Sequence, residues 1–186
     1  MIKVALLGDS IRQIGYGPVV PRLLGEAYEV FQPEENCRFA KYTLRGLYEW
    51  REGLDGCEIV HWNNGLWDTV TSRPDGKPFS APEEYLANMT RIADYLTARH
   101  RVVIFATTTP VRPDNPDNDT GRIASYNALV VPELVKRGVV INDLFSVVAK
   151  DVLGHIRADD KIHLTEKGVE VCAAQVAAVI KRCESR

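Results

Sequence analysis

The chain has 186 residues, 45% of them hydrophobic, which is enough to bury one sizeable core and hardly two. We therefore expect a single domain over residues 1–186. The formal net charge is -2 and the basic residues are scattered, so nucleic acid is not an expected partner. The sequence shows no signal-peptide pattern and no apolar run of membrane-spanning length, which predicts a cytoplasmic protein without a membrane partner. The four cysteines include no Cys-x-x-Cys pair and are expected to be free thiols that form no metal site.

Short apolar runs alternate with longer segments of helical period. The predicted strands are, in chain order, "KVALLG", "YEVFQ", "EIVHW", "RVVIFATT" and "VVINDL". The predicted helices are "VVPRLLGEAY", "TLRGLYEWREGL", "APEEYLANMTRIADYLTARH", "RIASYNALVVPELVKRG" and "TEKGVEVCAAQVAAVIKRC". This alternation predicts a three-layer α/β/α sandwich around a five-stranded parallel sheet, with ligands bound at the carboxyl ends of the strands.

The first predicted strand ends at Gly8-Asp9-Ser10, in the opening stretch "MIKVALLGDSIRQIGYG". Ser10 stands where a helix begins, and the free N–H groups and positive dipole of a helix start favour a developing negative charge. That position suits a nucleophile, but serine is also a preferred helix cap, so both interpretations stay open at this point. A nucleotide-binding role for the nearby glycines is disfavoured, because their spacing matches neither the dinucleotide fingerprint nor the P-loop.

The third predicted strand runs into Asn63, Asn64 and Gly65. An amide side chain at a strand exit can donate to an oxyanion, and a neighbouring glycine lets the backbone turn freely. Simple turn formation is the alternative interpretation. Adjacent residues at the end of an extended strand point to opposite sides, so only one of the two amides is expected to reach an oxyanion.

The segment before the closing helix reads "RADDKIHLTEKG" and places Asp160 three residues ahead of His163. A carboxylate at this spacing can accept a hydrogen bond from one ring nitrogen and leave the other free to take a proton from a hydroxyl. In the alternative interpretation, His163 packs at the helix start and Asp159 and Asp160 form a solvated turn. Because all three segments are predicted at one edge of the sheet, we favour the catalytic interpretation.

With these three segments the chain resembles the SGNH hydrolases, also called GDSL-type esterases, over nearly its whole length. The matching stretches are "GDS" at 8–10, "NNGLWD" at 63–68 and "DKIHL" at 160–164. The resemblance implies a flavodoxin-like sandwich in which Ser10 is the nucleophile, His163 the general base and Asp160 its orienting partner. It implies no metal and no organic cofactor.

The resemblance also implies an oxyanion hole built from the N–H of Ser10, a backbone N–H after the second strand and an asparagine after the third. The second of these loops reads "ENCRFAKYTL", with Lys41 or Ala40 where the family has a glycine. The third segment lacks the family order Gly-x-Asn-Asp, so Asn63 and Asn64 are both candidates. We favour Asn64, because that alignment keeps the strand "EIVHW" unbroken up to the turn.

The implied reaction is hydrolysis of an ester through an acyl-enzyme. The sequence has no long apolar lid, so we expect a small acyl group, with acetyl as the leading candidate, on a sugar or a similarly polar alcohol. The candidate substrate-binding residues in the surrounding loops are Arg12, Trp67 and Arg112. Two alternatives stay open: a catalytically impaired pseudoenzyme of this fold, and a small-ligand binding module on a doubly wound scaffold. A homo-oligomer is compatible with either.

Overall fold

The five predicted strands all form and pair in parallel within one sheet. The computed structural model of the protein describes residues 1–72 and 74–184. The strands are β1 (Ile2–Leu7), β2 (Tyr28–Phe31), β3 (Ile59–Trp62), β4 (Val102–Ala106) and β5 (Val140–Asn142). Their order across the sheet is β2-β1-β3-β4-β5. This is the flavodoxin-like order, and the predicted five-stranded parallel sheet is confirmed.

The helices follow the predicted ones in position, with different ends. They are α1 (Val20–Leu24), α2 (Ala40–Glu49), α3 (Arg51–Leu54), α4 (Leu66–Thr69), α5 (Pro82–Thr97), α6 (Thr120–Lys136), α7 (Leu144–Ala149), α8 (Val152–His155) and α9 (Glu166–Arg182), together with a π-helical segment at Ile11–Tyr16. The predicted first helix is shorter than expected, because Gly25 adopts a φ of 87° and ends α1. The sequence did not indicate α4, α7 or α8, because helices this short carry too little periodicity.

Alternate residues of each strand face two separate hydrophobic cores. On one face Val4 and Leu6 pack with buried residues of α1 and α9. On the other face Ala5 and Leu7 pack with buried residues of α2, α5 and α6. Because helices cover both faces, the strands are mostly apolar, as parallel strands usually are. The predicted three-layer arrangement is confirmed.

The order of the strands places a crevice beside β1. The chain goes from β1 to β2 on one side and then returns to β3 on the other side. At such a switch point the two crossovers leave in opposite directions, and a crevice opens at the carboxyl ends of the strands. The residues that follow β1 and β3 at this edge are 8–10 and 63–64.

Two further sequence-based expectations concern helices and cysteines. None of the described helices has the length and hydropathy needed to cross a membrane. Cys37, Cys57, Cys172 and Cys183 are all buried free thiols.

Candidate active site

Ser10, His163 and Asp160 form a continuous chain of hydrogen bonds at the carboxyl end of β1. The Nε2 atom of His163 lies 2.8 Å from the Oγ atom of Ser10. The Nδ1 atom of His163 lies 3.1 Å from the Oδ2 atom of Asp160. Ser10 is half-buried and the His163 side chain is 26% exposed, so both groups are partly shielded and still reachable from solvent. A serine nucleophile with a histidine base requires this order of groups.

The loop between α8 and α9 holds His163 through Asp160 in two ways. Asp160 Oδ1 accepts hydrogen bonds from the backbone N–H groups of Ile162 at 3.0 Å and of His163 at 2.9 Å, while Oδ2 faces the imidazole ring. Burial raises the pKa of Asp160, but these hydrogen bonds outweigh burial and lower the pKa below its usual value. The carboxylate is therefore ionised near neutral pH and keeps Nε2 of the ring turned toward Ser10.

Two buried residues connect β1 to Ser10. A Cβ atom on residue 8 would lie 2.1 Å from the Oδ1 atom of Asn63, so only glycine fits at Gly8. Asp9 is fully buried, and its Oδ1 atom accepts a hydrogen bond from the N–H of Ile11 at 2.9 Å. Ser10 then begins the π-helical segment, whose first N–H groups have no acceptor within the helix.

Arg12 was predicted to bind substrate, and the structure contradicts this. The side chain is only 2% exposed. Its guanidinium donates to the carbonyl oxygens of Pro33 at 2.9 Å, Glu35 at 2.8 Å and Gly8 at 3.2 Å. Arg12 thus ties the loop after β2 to the loop after β1, and a cation committed to buried carbonyls cannot also hold a substrate carboxylate.

The two asparagines after β3 have different environments, and these argue against the sequence-based preference for Asn64. Asn64 is fully buried, and its amide donates to the carbonyl oxygen of Arg38 at 2.9 Å. Asn63 lies against Gly8 and lines a narrow gap together with Asp9. Its Oδ1 atom accepts a hydrogen bond from the hydroxyl of Tyr16 at 2.8 Å, and its amide nitrogen donates to the Asp9 carboxylate, which leaves one of the two amide N–H groups for another partner. We therefore take Asn63 as the candidate amide donor.

The remaining predicted residues differ in how well they suit a role at the site. Lys41 lies in the first turn of α2, where backbone N–H groups lack helical acceptors, and its exposed side chain pairs with Glu84 at 3.4 Å. Trp67 on α4 is 42% exposed, so its ring is open to a ligand. Arg112 donates to the carbonyl oxygens of Leu153 at 3.2 Å and Ile156 at 2.9 Å, which commits its guanidinium to the protein and argues against the predicted substrate contact.

Three buried polar residues around the site were not assigned a catalytic role from the sequence. Tyr16 and His61 are fully buried, with ring centroids 5.7 Å apart in an edge-to-face arrangement. Asp68 is fully buried and accepts hydrogen bonds from the N–H of Ala40 at 3.1 Å and from the hydroxyl of Ser80 at 2.6 Å. His61 could have been noticed in the sequence, because it is a polar residue inside an apolar strand. Tyr16 and Asp68 could not, because their hydrogen-bond partners are set by tertiary contacts.

Solved structures of hydrolases match the whole chain. A lipase/acylhydrolase from Enterococcus faecalis has 19% sequence identity and a TM-score of 0.80, and the match covers 97% of this chain and 96% of that one. An alpha/beta hydrolase enzyme from the metagenome of Lake Arreo, Spain, has 18% identity and a TM-score of 0.79, covering 97% and 95%. An acetylxylan esterase from Geobacillus stearothermophilus has 16% identity and a TM-score of 0.77, covering 96% and 94%.

The sequence by itself gives no comparable match. No protein-family model matches the chain, and no curated protein matches it significantly. The three-dimensional similarity extends over at least 96% of the chain for each of these hydrolases. The protein therefore has the fold of these acylhydrolases and esterases.

Proposed function

We propose that the protein is a serine esterase of the SGNH type, which hydrolyses a small acyl ester of a carbohydrate or a similarly polar alcohol. The hydrogen-bonded chain from Ser10 through His163 to Asp160 is the observation that carries the proposal. These residues come from opposite ends of the sequence, and a helix cap would not need a histidine with its own carboxylate. The fold shared with acylhydrolases and esterases supports the same conclusion.

In the first half of the reaction, Ser10 Oγ attacks the carbonyl carbon of the ester while its proton passes to Nε2 of His163. The tetrahedral intermediate collapses when the imidazolium gives this proton to the leaving alcohol oxygen, and the acyl group remains on Ser10. Asp160 stays ionised throughout and stabilises the imidazolium across the 3.1 Å contact.

In the second half, a water molecule attacks the acyl-enzyme. His163 takes one proton from this water and returns it to Ser10 Oγ as the carboxylic acid is released. Charge on the carbonyl oxygen develops in both halves, so the same donors serve twice. We assign these donors to the backbone N–H groups of Ser10 and Lys41 and to the side-chain amide of Asn63.

The choice of a small acyl group and a polar alcohol rests on two observations. One is that acetylxylan esterases share the fold over nearly the whole chain, although at low sequence identity. The other is aromatic surface that follows the strand exits: the ring of Trp67 on α4 is 42% exposed, and Phe39 and Phe79 pack with ring centroids 4.7 Å apart next to the start of α2. Exposed aromatic rings are suited to contact the apolar side of a sugar.

A fluorophosphonate probe with intact-mass detection tests this proposal directly. We expect one adduct on the wild-type protein, no adduct on Ser10→Ala, and an unchanged adduct on Ser125→Ala, which removes an exposed serine hydroxyl elsewhere. Ser10→Ala should also lower hydrolysis of p-nitrophenyl acetate by about 1,000-fold or more. A wild-type protein that stays unlabelled would favour a pseudoenzyme or a binding module instead.

The substrate class needs its own measurement. We expect kcat/KM to fall as the acyl chain of p-nitrophenyl esters is lengthened from acetate to octanoate. We also expect release of acetate from acetylated xylo-oligosaccharides. Labelling of Ser10 together with faster turnover of the octanoate ester would retain the nucleophile and contradict the proposed substrate.

A further inference from the structure

The hydroxyl of Tyr16 and the amide of Asn63 form a pair that the catalytic chain does not use. Tyr16 is fully buried, and its hydroxyl donates to Asn63 Oδ1 at 2.8 Å. Among the described residues, Asn63 is the only hydrogen-bond partner of this hydroxyl. We propose that Tyr16 is a positioning residue, which holds the Asn63 amide with its N–H groups toward the substrate carbonyl oxygen. The inference rests on the proposed esterase function.

An asparagine amide can present either its oxygen or its nitrogen to a site, and only the nitrogen can stabilise an oxyanion. If the Asn63 amide rotated by half a turn, its oxygen would face the developing negative charge. The Tyr16 proton would then lose its acceptor inside the core, where an unsatisfied donor is costly. The buried phenol therefore favours the orientation that the Asp9 carboxylate also favours, in which the amide nitrogen is turned away from Tyr16 and one of its N–H groups is left for substrate.

The state of Tyr16 supports a role as a permanent donor. Burial raises the pKa of the Tyr16 phenol well above its usual value. The hydroxyl consequently keeps its proton at any pH at which an esterase works. The edge-to-face contact with His61 fixes the plane of the ring, and His61 is itself held by Asn142 at 3.1 Å.

The backbone around Ser10 is shaped so that Tyr16 can reach Asn63. Ser10 and Tyr16 lie at opposite ends of the π-helical segment, which bends at Gly15, where φ is -98° and ψ is -108°. The N–H of Gly17 bonds to the carbonyl oxygen of Arg12 at 2.8 Å, the wide turn that defines a π-helix. Such turns are frequent at functional sites. Gly8, which has no Cβ, leaves the space that Asn63 Oδ1 occupies.

Tyr16→Phe removes only the hydroxyl and tests the proposal. We expect kcat for p-nitrophenyl acetate to fall about 10-fold to 100-fold, less than for Asn63→Ala, while KM changes by about twofold or less. Tyr126→Phe is the matched control, because its hydroxyl is also buried and donates to a carbonyl oxygen, that of Ser80, at 2.7 Å. Tyr126→Phe should shift the melting temperature similarly and leave kcat within about twofold of wild type.

A double-mutant cycle separates positioning from general damage. If Tyr16 acts through Asn63, then Tyr16→Phe should change kcat by about twofold or less when Asn63 is already alanine. The rate of fluorophosphonate labelling of Ser10 gives a second readout for slow variants. An undiminished effect in the Asn63→Ala background, or equal kcat values for the two phenylalanine variants, would overturn the proposal. Wild-type protein that fails to label at Ser10 would instead overturn the esterase function.

Discussion

Asn63 and Asn64 are chemically identical neighbours whose environments differ completely. The backbone carbonyl of Asn64 accepts hydrogen bonds from the hydroxyls of Tyr85 and Thr108, both at 2.8 Å, while its amide holds the carbonyl of Arg38. Asn64 therefore connects its own loop to helix α5 and to the loops after β2 and β4. Asn63 instead lies against Gly8 and Asp9, the two residues that precede Ser10. At the scale of single residues, one asparagine suits catalysis and the other suits structure.

Separate alanine substitutions of the two asparagines test this division. Asn63→Ala should lower kcat about 100-fold to 1,000-fold with little change in melting temperature, because it removes a donor to the oxyanion. Asn64→Ala should instead lower the free energy of unfolding by about 1 to 3 kcal/mol, because it removes the hydrogen bond from the fully buried Asn64 amide to the carbonyl of Arg38. Steady-state kinetics and urea unfolding measure the two effects. A large loss of kcat with unchanged stability in Asn64→Ala would restore the alignment that the sequence favoured.

Helix α2 carries Lys41, the second predicted oxyanion donor. The N-terminus of this helix is capped by a residue from another helix. Phe39 precedes the helix and has no side chain that could accept its first N–H. The carboxylate of Asp68 on α4 accepts the N–H of Ala40 instead, and it also accepts the hydroxyl of Ser80. Burial raises the pKa of Asp68 to about 7, and these hydrogen bonds only partly oppose it.

This raised pKa predicts a specific pH dependence of stability. Between the usual value of 3.8 and about 7, folded Asp68 holds a proton that the unfolded chain has lost. Its contribution to stability is therefore present at low pH and is lost as pH rises through about 7. Relative to Asp68→Asn, the wild type should lose about 3 kcal/mol of unfolding free energy between about pH 5 and pH 8.

Urea unfolding at several pH values measures this difference. Asp55→Asn is the matched control, since Asp55 is exposed and the variant keeps Asp68. The control should follow the wild-type curve. Parallel curves for wild type and Asp68→Asn over the same pH range would mean that Asp68 is already ionised in the folded protein at low pH.

At the scale of the whole molecule, a buried histidine joins two strands of the sheet, β3 and β5. His61 on β3 is fully buried, and its Nε2 atom lies 3.1 Å from the Nδ2 atom of Asn142 on β5. Because the amide donates, this ring nitrogen must be the acceptor of a neutral imidazole. Burial lowers the pKa of His61 to about 3. The core of the sheet therefore depends on an uncharged histidine.

Acidification should weaken this core. Between about 3 and the usual 6.5, the unfolded chain binds a proton at His61 that the folded protein cannot accept. The contribution to stability is present above 6.5 and is lost as pH falls. Between about pH 7 and pH 5, His61 should cost the wild-type protein about 2 kcal/mol of unfolding free energy. The variant His61→Gln should not show this loss, whereas the control His100→Gln should show it as the wild type does. An identical slope in His61→Gln and wild type would contradict this account.

The sequence alone determined the strands, the long helices and the three catalytic candidates. Parallel strands buried on both faces appear as apolar runs, and long amphipathic helices repeat often enough for their period to be recognised. Ser10, Asp160 and His163 were identifiable because they belong to short sequence motifs next to the end of a predicted strand or the start of a predicted helix. The sequence could also predict one edge of the sheet as the site, since strand exits in such folds meet there.

Only the tertiary structure decided which polar side chains already have hydrogen-bond partners within the protein. Arg12 and Arg112 both fit a substrate contact by position, yet their guanidinium groups are held by carbonyl oxygens far away in the chain. The choice between Asn63 and Asn64 depended in the same way on Tyr16 and Arg38. A hydrogen bond depends on distances of a few tenths of an ångström and on which partner is desolvated, and neither property is encoded in the spacing of residues along a chain.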